Sequence, residues 1–156
     1  MKAPVDLYYE DVPLAAEYAS EPHAVSAEDI ARFGDLTHDR HPLHTDAAYA
    51  RSRGFGGVIA HGLFGLALME GLKTEMKVYE NTSVASLGWD QVRFLRPLVA
   101  GDAVRVVFRF EQKRLASRGD RGVVTEALRL VNQRDETVIE AQHTSLILCR
   151  ARATAA

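Results

Sequence analysis

The sequence predicts an α+β fold in which a curved antiparallel β-sheet wraps around one buried central α-helix. Three observations carry that reading. Leu63–Leu72 (Leu-Phe-Gly-Leu-Ala-Leu-Met-Glu-Gly-Leu) is apolar on nearly every side except at Glu70, and a helix without a polar face is a buried one. The C-terminal half alternates with a period of two, most clearly where Val104, Val106, Phe108 and Phe110 interleave with Arg105, Val107, Arg109 and Glu111. Strand-like segments follow one another at turn spacing with no helical pattern between them, which makes the sheet antiparallel. A long antiparallel sheet and one wholly apolar helix bury their surfaces together when the sheet curls round the helix.

The elements follow in order. Glu17–Val25 reads as a first strand. Ser26 then has the character of a helix N-cap, with Glu28 and Asp29 in a first turn where negative charge suits the helix dipole, and with Ile30 and Phe33 as the apolar face. Pro42 prevents one continuous helix through the following segment, and a second short helix is expected over Thr45–Arg51. For Leu63–Leu72 a buried strand is the alternative, but about ten residues rich in Ala, Leu and Met favour helix. Val84–Phe94, the Val104–Glu111 alternation, Val123–Gln133 and Val138–Cys149 complete the sheet, the last two joined by a turn at Arg134-Asp135-Glu136.

Composition bounds the function. A chain of 156 residues fits one domain, taken as residues 1–156, and buries enough surface to need no disulfide or metal for its core. A net charge of −2 argues against a nucleic-acid partner, which calls for a basic stripe. No run of 18 uncharged apolar residues is present, so no membrane span is expected. Asp6, Glu10 and Asp11 stand where a signal peptide would need an apolar core. Cys149 is the single cysteine and can form no internal disulfide. Together these features fit a cytoplasmic protein.

Chemistry concentrates between residues 35 and 46. His38, His41 and His44, half of the six histidines, fall within seven residues, interleaved with Asp35, Asp39 and Asp46. Three readings fit. The cluster could ligate a metal, although Pro42 stops the histidines from sharing one helical face and no cysteine-rich or His-Glu-x-x-His pattern is present. It could be a solvated loop. It could be an acid/base pair on a loop and helix start, which the local enrichment in proton-moving groups favours. The second feature is Gly54-Phe-Gly-Gly-Val-Ile-Ala-His-Gly62, which runs into the apolar helix. A glycine at a helix start lets a ligand approach backbone N–H groups that stabilise an oxygen gaining negative charge. The same glycine would also serve a tight turn. His61 beside it reads first as structural.

These residues resemble the MaoC-like dehydratases, the (R)-specific enoyl-CoA hydratase group of hot-dog folds. The family run Gly-Asp-x-Asn-Pro-Leu-His is matched by His38-Asp39-Arg40-His41-Pro42-Leu43-His44. The later Phe-Gly-x-x-Ile-Ala-His-Gly is matched by residues 55–62. Phe94-Leu-Arg-Pro-Leu-Val-Ala-Gly101-Asp102 is a third, weaker match. The resemblance implies a single hot-dog domain that adds water to trans-2-enoyl-CoA thioesters to give (R)-3-hydroxyacyl-CoA, or the reverse. Asp39 and His44 would be the catalytic pair, Asp39 as base and His44 orienting the water or shuttling its proton. Gly62 N–H would polarise the thioester carbonyl, with His41 and His61 beside the substrate. No cofactor or metal is implied, since coenzyme A belongs to the substrate. A homodimer, or a higher assembly of dimers, is expected, because a lone hot-dog exposes an edge strand.

Three positions depart from the pattern. His38 replaces Gly, His41 replaces Asn, and no Ser or Thr lies between Gly62 and Lys73, leaving Glu70 as the only polar group there. Glu70 either reaches the surface and pairs with Lys73 at i+3 or lines the pocket and alters which acyl group fits. Arg93, Arg96, Lys113 and Arg114 are candidates for the coenzyme A phosphates. A hot-dog thioesterase using Glu70, and a non-catalytic acyl-thioester-binding subunit, are the alternatives.

Overall fold

The computed structural model describes residues 3–150. Strands β1 (Glu17–Ala19) and β2 (His23–Ala24) come first, followed by helices α1 (Ala27–Thr37), α2 (Pro42–Thr45), α3 (Ala47–Ser52) and α4 (Gly62–Glu75). Strands β3 (Ser83–Phe94), β4 (Ala103–Leu115), β5 (Arg121–Asn132) and β6 (Thr137–Leu148) complete the chain. All pairings are antiparallel, in the order β1-β4-β5-β6-β3, with β2 beside β1 on the β4 edge.

The sheet encloses α4 as the sequence predicts. Val104, Val106, Phe108 and Phe110 of β4, Val124, Leu128 and Leu130 of β5, and Ile139 and Ile147 of β6 are buried with Phe64, Met69 and Leu72 of α4. Alternation places each of these residues on the inner face of its strand. Ser26 caps α1 in a reciprocal box: its hydroxyl accepts from the Asp29 N–H at 3.0 Å, and the Asp29 carboxylate accepts from the Ser26 N–H at 3.1 Å.

Three sequence expectations need correction. The first strand is two short ones, interrupted at Ser20–Pro22, where Pro22 has no N–H to give the ladder. The helix expected over Thr45–Arg51 is split at Asp46, whose carboxylate turns back to cap α3 by accepting from Ala48 and Tyr49 N–H groups at 2.8 and 3.0 Å. Finally, α4 is not buried all round. Leu63 is 64% exposed and Ala67 is also exposed, so one apolar stripe of the helix is open in the single chain. Beside it lies β3, an edge strand with three register shifts. Such irregularities bend an edge and limit its pairing.

Candidate active site

The histidine-rich segment is shaped by its backbone. His38 ends α1 in the left-handed conformation, at φ 62° and ψ 9°. Glycine adopts this region freely; histidine does so at a cost. The reversal starts the loop that carries Asp39 towards α4. His41 then acts as the N-cap of α2, its Nδ1 accepting from the Leu43 N–H at 3.2 Å. The imidazole thus supplies the acceptor that an asparagine would supply there. Pro42 opens α2 at a position where its missing N–H costs nothing.

Asp39, His44 and His61 converge, and one potential ligand atom from each lies within 4.8 Å of the others. His44 Nδ1–H donates to the Ile59 carbonyl at 2.7 Å, and Ile59 N–H donates to the Leu43 carbonyl. Because a carbonyl only accepts, the proton of neutral His44 sits on Nδ1, and Nε2 keeps its lone pair. By the same argument His61 Nε2–H donates to the Asp39 backbone carbonyl at 2.8 Å, and its Nδ1 is buried without a hydrogen-bond partner. Gly34 of α1 makes room for this contact: a Cβ there would meet the Asp39 carbonyl at 3.2 Å and the His61 ring at 3.3 Å. His61 therefore pins the Asp39 loop from below. Its ring also stacks on His44, with centroids 3.8 Å apart and planes tilted 29°.

That stacking bears on the metal reading. Imidazole lone pairs lie in the ring plane, and two rings stacked with centroids 3.8 Å apart and tilted by only 29° point theirs side by side rather than at one metal about 2 Å from each. A water fits better. Two hydrogen bonds of about 2.8 Å span a gap of this size, and both the Asp39 carboxylate and His44 Nε2 accept.

Gly62 is the first residue of α4, whose N-terminus has no side-chain cap, whereas α1, α2 and α3 are each capped by Ser26, His41 and Asp46. The first N–H groups of α4 are thus left for another partner. Gly62 and His44 line one cavity of about 440 Å³, with apolar walls that include Phe55, Ile59, Leu98 and Ile139. The Phe94 ring rests on Gly62, where a Cβ would come within 2.7 Å of it. Arg96 stands at this cavity, 3.5 Å from Glu136. Arg93 opens on a different cavity on the sheet. Lys113 is fully engaged, donating to the carbonyls of Tyr9, Glu10 and Val12 at 3.1 Å each.

Comparisons with known proteins identify the family. A profile of the MaoC-like domain matches residues 12–132. The chain belongs to the MaoC-like domain family. Its architecture is the hot-dog fold. It is 34% identical over 82 residues to the 3-hydroxyacyl-thioester dehydratase Z of Mycobacterium tuberculosis, a match covering 52% of this chain and 54% of that one. The chain thus spans about half the length of the curated relatives it matches first. Among solved structures, a protein from Archaeoglobus described as a monoamine oxidase regulatory protein superposes with a TM-score of 0.88 at 31% identity, covering 97% of this chain and all of that one. An R-hydratase from Pseudomonas aeruginosa gives 0.74 at 25% identity, covering 94% and 88%.

One group of polar residues escaped the sequence reading. Lys73 is buried and pairs most closely with Glu126 of β5, with Glu70 at i+3 as a second, longer partner. Glu70 stops 4.0 Å from the Lys73 ammonium and lines a cavity at the far end of α4. The available signal was the alternation itself: Glu126 sits between Val124 and Leu128, and His143 between Ala141 and Ser145, on the inner face of their strands. No helix among the described residues is long and apolar enough to cross a membrane.

Proposed function

We propose that this MaoC-like chain is a hydro-lyase that adds water across the double bond of trans-2-enoyl-CoA thioesters, or catalyses the reverse dehydration. The observation that carries the reading is the convergence of the Asp39 carboxylate with His44, which lines the same cavity as Gly62. The dehydratase and R-hydratase named among its relatives point to the same reaction and to the (R)-3-hydroxy product.

In this reading a water donates one hydrogen to Asp39 and the other to His44. Asp39 takes a proton as the water oxygen bonds to C3. The electrons of the double bond move onto the thioester oxygen, forming an enolate. The Gly62 N–H and the positive end of α4 stabilise that charge. The proton taken from water is then delivered to C2, and the enzyme returns to its starting state. Positioned acid–base catalysis is worth about 10²–10⁴-fold, and an oxyanion donor about 3–4 kcal/mol. No organic cofactor takes part, because the coenzyme A arrives with the substrate. Arg96, at the cavity, is the basic residue best placed for its phosphates.

The active unit in this proposal is a homodimer. The β3 edge, with Val84, Leu87 and Phe94 exposed, and the open stripe of α4 are the surfaces a second copy would cover. A thioesterase needs its carboxylate at the polarised carbonyl. Glu70 lies eight residues, or about 12 Å, along α4 from Gly62, so the two do not meet at one carbonyl within a chain. The test is loss of the conjugated enoyl absorbance of crotonyl-CoA on incubation with the protein. Inactivity across short, branched and aromatic enoyl-CoAs would reject the proposal, and release of free thiol from a saturated acyl-CoA would favour hydrolysis instead.

A further inference from the structure

His41 is tied to both members of the acid/base pair. Its backbone N–H donates to the Asp39 carboxylate, 3.3 Å from Oδ1. Its backbone carbonyl accepts from the His44 N–H at 2.8 Å. Its imidazole Nδ1 accepts from the Leu43 N–H at 3.2 Å and so caps α2, the four-residue helix that carries His44. A single turn of helix has little cohesion of its own, because nucleation costs more than one hydrogen bond returns. Its start is held by this cap and by Pro42.

The chemistry of the cap sets it apart. Ser26 caps α1 with a hydroxyl, and asparagine, the residue of the family pattern at position 41, would cap with an amide oxygen. Neither of these takes up a proton near neutrality, whereas imidazole changes its charge between about pH 5 and 8. With Nδ1 accepting, neutral His41 carries its hydrogen on Nε2, and a second proton has only Nδ1 to go to. The imidazolium donates from both nitrogens, which sets an N–H against the Leu43 N–H and removes the cap. His41 is exposed, so solvent can deliver that proton. The titratable and charged groups around it come from three elements. Asp39 of the preceding loop takes its main-chain N–H, and His44 of α2 stands with ring centroids 6.2 Å apart. Tyr49 of α3 lies at 5.9 Å, with the Arg53 guanidinium over its ring at 5.0 Å. Among the described residues the Leu43 N–H is the one hydrogen-bond partner of Nδ1.

We infer that His41 is a positioning residue whose cap on the helix bearing His44 is released by protonation, so that the site is assembled while the imidazole is neutral and loosened in acid. The effect on turnover rests on the hydration reading above; the cap itself is measurable without substrate.

Two measurements test this. In isotope-labelled protein followed by NMR from about pH 8 to about 5.5, His41 should show a bare Nδ1 at the upper end, and the Leu43 amide resonance should move in step with protonation of His41. In His41→Asn that step should vanish. A Leu43 amide that ignores His41 in the wild type, a step that persists unchanged in His41→Asn, or hydrogen on Nδ1 of the neutral ring overturns the inference. In crotonyl-CoA hydration, kcat/KM is compared between variants at each pH, which cancels whatever Asp39 and His44 contribute alike to all of them. The ratio of His41→Asn to wild type should rise about fivefold on going to the acid end, the weight of one N-cap in an equilibrium. The ratio of His41→Ala to wild type should rise likewise, because the wild type comes to lack the cap that alanine never had. Ratios that stay flat or fall, as expected if the imidazolium acts only by repelling a proton from His44, overturn the inference while turnover itself upholds hydration. Absence of turnover removes the hydration reading and leaves the NMR titration to decide the cap.

Discussion

Replacing Glu126 by Gln removes one charge from a pair that has almost no access to water. Glu126 is 0% exposed and Lys73 4%. Burial by itself pushes the Glu126 carboxyl up. The Lys73 ammonium, with the polar groups of His143 and Tyr79 beside it, more than reverses this, leaving it below its ordinary value of 4.5. Glutamine keeps the shape and an acceptor for Tyr79 but leaves the ammonium uncompensated. Breaking a buried pair in this way costs about 3–5 kcal/mol. For a chain of this size that corresponds to about 6–20 °C in Tm, readable by thermal or urea denaturation at pH 7. The pH dependence has a definite sign. A carboxyl with a depressed folded-state pKa contributes its full stability above the unfolded value and loses it as pH falls through the folded one. The gap between wild type and Glu126→Gln should therefore be widest near neutrality and close in acid, below the ordinary carboxylate range. The double variant Lys73→Met/Glu126→Leu should be less destabilised than the two single changes added together, because no lone charge remains. A cost below about 1 kcal/mol for Glu126→Gln, or strict additivity in the double variant, would refute the argument that these two charges depend on each other.

Three further outcomes are expected. Asp39→Asn and His44→Ala should each slow enoyl-CoA hydration at least about 10²-fold with an unchanged circular dichroism spectrum, and near-normal turnover in either would remove it from the chemistry. Gly62→Ala should cost little stability, because the Phe94 ring it meets at 2.7 Å is 53% exposed and can swing aside. It should nevertheless cut kcat/KM about tenfold or more by crowding the amide, so a variant that melts early but turns over normally would contradict the assignment. Light scattering at micromolar concentration should give the mass of a dimer, and Leu87→Asp on the open β3 edge should shift it towards the monomer; a wild-type monomer would overturn the proposed assembly.

Local signals in the sequence were read well. Ser26 and Asp29 stand three residues apart, and the capping box follows from that spacing alone. His38 stands where the family pattern has glycine, and it lies at positive φ. The approach of His44 to Gly62 was legible only through the order of two motifs, since the 17 intervening positions contain no periodic signal that brings them together. What stayed hidden depends on distance along the chain. Lys73 and Glu126 are 53 residues apart and Lys73 and His143 are 70 apart, so Lys73 reads in the sequence only against its near neighbour Glu70. The wholly apolar reading of Leu63–Leu72 was right in composition and incomplete in consequence. Burial in one chain covers Phe64, Gly65, Met69 and Leu72 but leaves Leu63 open.

The dipeptide His61-Gly62 joins two duties that could have been placed on separate loops. The imidazole grips the main chain at Asp39, and the next residue begins α4. The spacing between the Asp39 loop and the start of α4 is therefore gauged by one covalent link and one short contact. In the proposed hydration, drift in remote segments can reshape the apolar cavity without altering that spacing, so divergence in substrate choice is compatible with constancy in the chemical step.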